Sequence, residues 1–75
     1  MFLTDLEPSQ IGRIVCFKGS DEFQFRLTEM GFKPEQKVRL IRKMAFNGPI
    51  QVRVRNCTIS LRFEDAACIH IELNE

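Results

Sequence analysis

The sequence predicts a mainly β fold, a small and strongly bent barrel of about five strands with one inserted α-helix. Short runs rich in β-branched residues alternate with turn residues along most of the chain, and only one segment has helical periodicity. Length supports the same fold, because an open five-stranded sheet made from 75 residues would expose its edges and an apolar face. We therefore expect a single domain, residues 1–75.

The first strand is predicted over residues 11–17, which are rich in β-branched and aromatic residues and end at a Lys-Gly-Ser turn. Because side chains alternate along a strand, Ile14 and Cys16 share one face, and Val15 and Phe17 share the other. The seven phenylalanines are expected to lie mostly in the core. The cysteines are odd in number and widely spaced, so we interpret them as small buried residues in a reducing compartment; they are Cys16, Cys57 and Cys68.

A single helix is predicted from about Asp21 to Met30. Ser20 precedes it and is suited to accept a hydrogen bond from a free backbone N–H of the first turn. Gly31 follows at the position where a residue in the left-handed conformation ends many helices. A spacing of i, i+4 and i+7 gives the helix one apolar stripe, formed by Phe23, Leu27 and Met30.

The two clearest strands are predicted at residues 37–43 and 50–55, and they form a hairpin around a loop that contains Asn47-Gly48-Pro49. Alternation turns the valines of the second strand inward and its arginines outward. The consecutive apolar residues Leu40 and Ile41 break the alternation of the first strand and predict a β-bulge there.

The remaining chain predicts a strand at residues 57–62 with Cys57 inward, one helical turn at 63–67 and a closing strand at 68–73. The short helical turn thus stands directly before the last strand. Five strands with one helix inserted after the first suit an SH3-like barrel.

Several motifs follow one another in a fixed order along nearly the whole chain, from about Leu6 to Leu73. They begin with Gly12 in the first strand and continue with Arg26-Leu27-Thr28-Glu29-Met30-Gly31-Phe32 at the end of the helix. Asn47-Gly48-Pro49-Ile50, Ile59-Ser60-Leu61-Arg62 and Ile69-x-Ile71 complete the series. In this order and spacing the motifs resemble the FeoA family of bacterial ferrous-iron transport accessory proteins.

The resemblance implies an SH3-like barrel that works in uptake of Fe(II) with FeoB, a membrane permease that carries a cytoplasmic GTP-binding domain. It implies an adaptor that binds this permease and modulates its assembly or activity. Two positions depart from the family pattern: Glu35 stands where Gly often follows Pro34, and Asn56 stands where Gly often precedes the next strand. Asn tolerates a positive φ better than most residues, so the second turn is expected to survive.

The sequence does not predict an enzyme, because it has one His, no Tyr, no nucleophile motif and no glycine-rich phosphate loop. No window approaches the roughly 20 consecutive apolar residues of a bilayer span. The first residues also lack the basic and apolar regions of a signal peptide. We therefore expect a cytoplasmic protein.

The formal net charge of +1 hides an uneven distribution of charge. Residues 1–32 carry a net −2, residues 33–62 carry +7, and residues 63–75 carry −4. Three interpretations of the basic hairpin face remain open: an acidic protein partner, which is favoured, a solvated face without a partner, and a small nucleic-acid-binding barrel. Two features count against the nucleic-acid-binding interpretation: no Phe alternates with the arginines, and the acidic ends of the chain repel phosphate. The basic residues are Arg39, Arg42, Lys43, Arg53, Arg55 and Arg62.

Two further groups of residues are candidates for contact with a partner. Met44 and Phe46 in the hairpin loop either fold back over a barrel end or anchor a partner, and the same question applies to Phe25 on the helix. Arg26 and Glu29 are interpreted either as an exposed ion pair or as part of the partner surface. Weak self-association is also left open. The predicted partner-binding residues are Arg26, Glu29, Met44, Phe46, Arg53 and Arg55.

The nearest arrangement of metal-ligand residues is Cys68-x-His70 with Glu72, which alternation places on one face of the last strand. Cys and His suit a soft or borderline ion, but this spacing supplies only two or three ligands and no second pair. The favoured interpretation is a surface His and a small Cys at the edge, with no cofactor. A contact with Fe(II) is implied by the family resemblance alone.

Overall fold

The computed structural model describes residues 1–73 and contains five β-strands, two α-helices and one short 3-10 helix. The strands are β1 Ile11–Phe17, β2 Lys37–Lys43, β3 Ile50–Val54, β4 Cys57–Leu61 and β5 Ile69–Leu73. The helices are the 3-10 helix Leu3–Asp5, α1 Asp21–Glu29 and α2 Phe63–Ala66. All neighbouring strands pair antiparallel in one sheet of order β4-β3-β2-β1-β5. The predicted mainly β fold with one inserted helix is confirmed.

One hydrophobic core receives side chains from all five strands, from both α-helices and from the 3-10 helix. The sheet therefore curves around a single centre, within a domain whose extents are 29 × 28 × 23 Å. Its largest fully buried side chains include Phe32, Leu3, Leu6, Ile14, Leu27 and Leu40. No buried polar or charged residue occurs among residues 1–73, so the interior supplies packing and no internal polar site.

Two bulges shift the register of the sheet. The predicted bulge at Ile41 is confirmed, because the pairing of β2 with β3 shifts between Leu40 and Arg42. A second shift, between Ile14 and Cys16 in the pairing of β1 with β5, was not predicted. It reverses the alternation after Val15, so the interpretation of Cys16 as a buried residue is wrong and its side chain is exposed.

Helix α1 begins and ends where the sequence predicts. The Ser20 hydroxyl accepts a hydrogen bond from the backbone N–H of Phe23 at 3.2 Å, and Gly31 has a φ of 106°. The apolar stripe is shorter than predicted, because Met30 is the C-terminal cap and its side chain is 42% exposed. Leu27 alone is fully buried on this helix, and Phe23 is half-buried against the core.

Three further expectations are corrected by the structure. Cys57 lies opposite the buried Val54, on the predicted inner face, but it is exposed and not buried, because it begins an edge strand at the end of the sheet. The positive φ of the β3–β4 turn lies at Arg55 (58°) and not at Asn56. Of the seven phenylalanines only Phe32 is fully buried, since most of the others lie at the rim of a core too small to enclose them.

Candidate functional site

The outer face of the sheet carries an open groove of about 340 Å³ where β1, β2 and β3 lie side by side. Four basic side chains line it: Lys37, Arg39, Arg53 and Arg55. The other lining residues are Ile11, Gln36 and Val38, so within residues 1–73 no carboxylate lines the groove. Below, "basic groove" means this set of residues.

The centre of the basic groove is a pair of arginines that lie opposite each other on two adjacent strands. Arg39 of β2 is the register partner of Arg53 of β3, and Ile11 of β1 pairs with Arg39 on its other side. Opposed residues in an antiparallel pair have Cβ atoms about 4.5–5.5 Å apart, and like charges at that separation destabilise a sheet. The register therefore places two arginine side chains next to each other, which lowers the stability of the folded protein.

Arg55 is positioned at the end of the basic groove by the tight turn that joins β3 to β4. Its φ of 58° lies in the left-handed region that non-glycine residues rarely adopt. The guanidinium Nε donates a hydrogen bond to Oε1 of Gln36 at 3.3 Å. This bond engages Nε and not the terminal Nη groups of the guanidinium.

Arg13 lies next to the basic groove and has the opposite electrostatic surroundings. It pairs with Lys37 in register, but its guanidinium forms ion pairs of 2.5 Å with Glu35 and with Glu72. The hydrogen bond and charge of Glu35, followed by those of Glu72, raise the pKa of Arg13 above its usual value. These are the ion pairs found within residues 1–73, so the basic groove itself remains uncompensated by this part of the chain.

The loop between β2 and β3 presents Met44 and Phe46 to solvent. Phe46 is 102% exposed and Met44 is 44% exposed, so the alternative in which they fold back over a barrel end is wrong. Phe46 and Asn47 both have positive φ values, 59° and 56°, in the left-handed region that non-glycine residues rarely adopt. A fully exposed aromatic ring on a strained backbone is a candidate contact for a partner.

The structure divides the predicted partner-binding residues among three places. Arg53 and Arg55 belong to the basic groove, whereas the loop residues lie at the other end of the hairpin, beyond the start of β3, which is itself about 10 Å from Arg53. Arg26 and Glu29 lie on α1 and form no ion pair in the described structure. The Arg26 guanidinium instead lies 5.6 Å from the centre of the Phe23 ring.

The other basic residues of the hairpin are dispersed. Arg42 pairs with Gln51, and Lys43 donates a hydrogen bond from Nζ to the carbonyl oxygen of Thr4. Arg62 stands at the N-cap position of α2 without a side-chain capping bond. Lys37, Gln36 and Ile11 join the basic groove and were not among the predicted site residues. Lys37 and Arg39 are two residues apart on β2 and therefore lie on one face of the strand. This spacing was visible in the sequence.

The predicted set of metal-ligand residues is separated in the structure. The Cys68 thiol donates to the carbonyl oxygen of Glu64 at 3.5 Å, and Glu72 pairs with Arg13. His70 instead lies opposite Cys16, with 3.8 Å between Nδ1 and Sγ. Across residues 1–73 no group of three His, Cys, Asp or Glu side chains is arranged to hold an ion.

A curved five-stranded sheet around one core, with one helix inserted after the first strand, defines a small domain of the SH3-like class. The structure described as an SH3 domain protein, FeoA of Stenotrophomonas maltophilia complexed with zinc, superposes with a TM-score of 0.81. It is 24% identical and covers 96% of this chain and 89% of its own. The FeoA domain model matches residues 1–73, and the chain belongs to the FeoA domain family.

Two further relatives are similar at 30% identity or more. A Porphyromonas gingivalis protein, described as an Fe(2+) transport protein A/Fe(2+) transporter FeoB fusion protein, is 33% identical over 73 residues. The solution structure of iron(II) transport protein A from Clostridium thermocellum is 30% identical with a TM-score of 0.90. Each match covers 97% of this chain, but only 9% of the fusion protein and 45% of the Clostridium chain. The resemblance inferred from the sequence is confirmed.

No helix of the described residues has the length and apolar character needed to span a bilayer.

Proposed function

We propose that this chain is an accessory protein for uptake of Fe(II) that binds a FeoB-type permease and modulates its assembly or activity. The observation that carries the proposal is the Porphyromonas gingivalis relative, in which an Fe(2+) transport protein A sequence and the transporter FeoB form one polypeptide. A covalent link of this kind keeps two domains at a high effective concentration, which favours contact between them. Where the two domains are not joined covalently, a binding surface is needed to reach the same proximity.

The proposed contact is with the GTP-binding domain of the permease, in the cytoplasm. Phe46 and Met44 act as apolar anchors because they protrude from the domain, and burying an aromatic ring at an interface commonly contributes much of the binding energy. Arg53 and Arg55 steer the approach of an acidic surface. Arg26 and Glu29 extend the surface onto α1. The chain itself carries out no chemistry in this proposal.

Capture of the purified permease and of its isolated GTP-binding domain by the immobilised chain tests this function. Wild type is expected to capture both, and Phe46→Ala and Arg53→Glu are each expected to weaken capture about tenfold or more. Matched controls are Leu73→Ala, at an apolar residue 42% exposed, and Lys18→Glu, beyond the far end of β1. These controls should remain within about twofold of wild type.

The possible outcomes separate the function from its assigned residues. Failure of the wild type to capture either form of the permease would overturn the proposed function. Capture that is unaffected by both test variants would remove Phe46 and Arg53 from the interface and leave the function in place. The rate of GTP hydrolysis by the permease, with and without the chain, then measures modulation directly.

A further inference from the structure

We propose that the basic groove binds a short extended acidic segment of a protein, with carboxylates at alternate positions held between Arg39 and Arg53. The inference rests on the proposed function, because it names the kind of segment that the partner offers to this surface. It adds Arg39, Lys37 and Gln36 to the residues that recognise the partner.

The first argument is the uncompensated charge at the centre of the basic groove. Arg39 and Arg53 face each other in register, and none of the ion pairs within residues 1–73 involves either residue. An acidic side chain between two guanidinium groups accepts charge-assisted hydrogen bonds from both and removes their mutual repulsion. Binding of an anion at this point therefore has two favourable contributions.

The second argument is the spacing of the basic residues. Lys37 and Arg39 lie on the same face of β2, two residues apart, which is about 6.6 Å along a strand. Alternate side chains of an extended peptide repeat at the same distance. A carboxylate at every second position therefore meets successive basic side chains of the groove without bending the peptide.

The third argument concerns the apolar part and the limits of the groove. Ile11 contributes to its lining, so a bound segment also contacts apolar atoms beside the charges, whereas the fully buried Val38 offers none. A volume of about 340 Å³ accommodates a few side chains. Recognition of single-stranded nucleic acid usually includes aromatic stacking, and within residues 1–73 no aromatic residue lines the groove.

Fluorescence anisotropy with a fluorescein-labelled decapeptide of alternating glutamate and threonine tests the inference. A peptide with glutamine in place of every glutamate is the control for charge, and an oligothymidylate of ten nucleotides represents nucleic acid. The glutamate peptide is expected to bind at least about tenfold more tightly than the glutamine peptide, since charge-assisted hydrogen bonds are the stronger class.

The protein variants locate the site. Arg39→Gln and Arg53→Gln are each expected to weaken binding of the glutamate peptide about tenfold. Arg42→Gln removes the same charge from the same hairpin, but its register partner is Gln51, so it should change binding less than about twofold. A thermal melt of each variant verifies that it is folded.

Three results would overturn the inference: equal binding of the two peptides, equal loss in the Arg53 and Arg42 variants, or tighter binding of the oligothymidylate than of the glutamate peptide. Capture of the permease distinguishes this failure from failure of the proposed function. If the permease is captured while the glutamate peptide does not bind, only the assigned groove is wrong. If the peptide binds at Arg39 and Arg53 but the permease is not captured, the groove is right and the named partner is wrong.

Discussion

Neutralising one arginine at the centre of the basic groove should make the protein more stable, and this prediction follows from the register of the sheet. In Arg53→Gln the long side chain is largely retained, but the like charge opposite Arg39 disappears. Cross-strand pairs of side chains contribute roughly 0.2–1 kcal/mol, and we take the same range for relief of this repulsion. For a domain of this size the gain corresponds to a rise in Tm of about 1–8 °C.

The assay is thermal unfolding followed by circular dichroism at low ionic strength and again in 1 M NaCl. The Debye length falls from about 10 Å at 0.1 M salt to about 3 Å at 1 M, so the advantage of the variant should shrink in high salt. Arg42→Gln, opposite the neutral Gln51, is the matched control and should leave Tm unchanged. A lower Tm for Arg53→Gln, or an equal rise for Arg42→Gln, would refute the reasoning.

Four further substitutions test the backbone and packing, each by chemical denaturation. Gly12→Ala should cost about 1–3 kcal/mol, because an added Cβ would lie 2.7 Å from Cδ1 of Ile71; unchanged stability would show that the core yields there. Ser20→Ala should cost about 1 kcal/mol through loss of the α1 cap, whereas a neutral result would mean that water replaces it. Gly31→Ala should cost about 1–2 kcal/mol because the φ of 106° is retained, and a gain would contradict the strained conformation. Phe46→Asn should keep or raise stability, because the ring is fully exposed and Asn tolerates its φ; a clear loss would indicate packing of the ring.

The fold was largely predictable because local signals agree with one another along the chain. The cap at Ser20, the glycine at position 31 and the valine alternation in β3 each specify a local structure that the tertiary fold retains. The bulge at Val15 was not predicted. Residues 14–17 are all apolar, so no polar residue marks the point at which the alternation reverses. That bulge depends on the pairing of β1 with β5, which is a contact between distant parts of the sequence.

The site was predicted less completely than the fold, for a related reason. Alternation alone identified Arg53 as outward-facing and basic, but its opposition to Arg39 depends on a register that the bulge at Ile41 alters. The position of Cys16 beside His70 likewise required the register of β1 against β5. Where no bulge intervenes, sequence patterns specify the face on which a side chain lies, whereas its neighbours across the sheet depend on long-range pairing.

The position of β1 in the sheet has a consequence for synthesis of the protein. The strand that lies between β2 and β5 is the first to leave the ribosome, and β5 is the last of the five. The meander of β2, β3 and β4 can form from local contacts, but one side of β1 stays without hydrogen bonds until β5 emerges. The domain therefore acquires its native structure only after β5 has emerged, and a nascent chain arrested before residue 69 should be sensitive to protease.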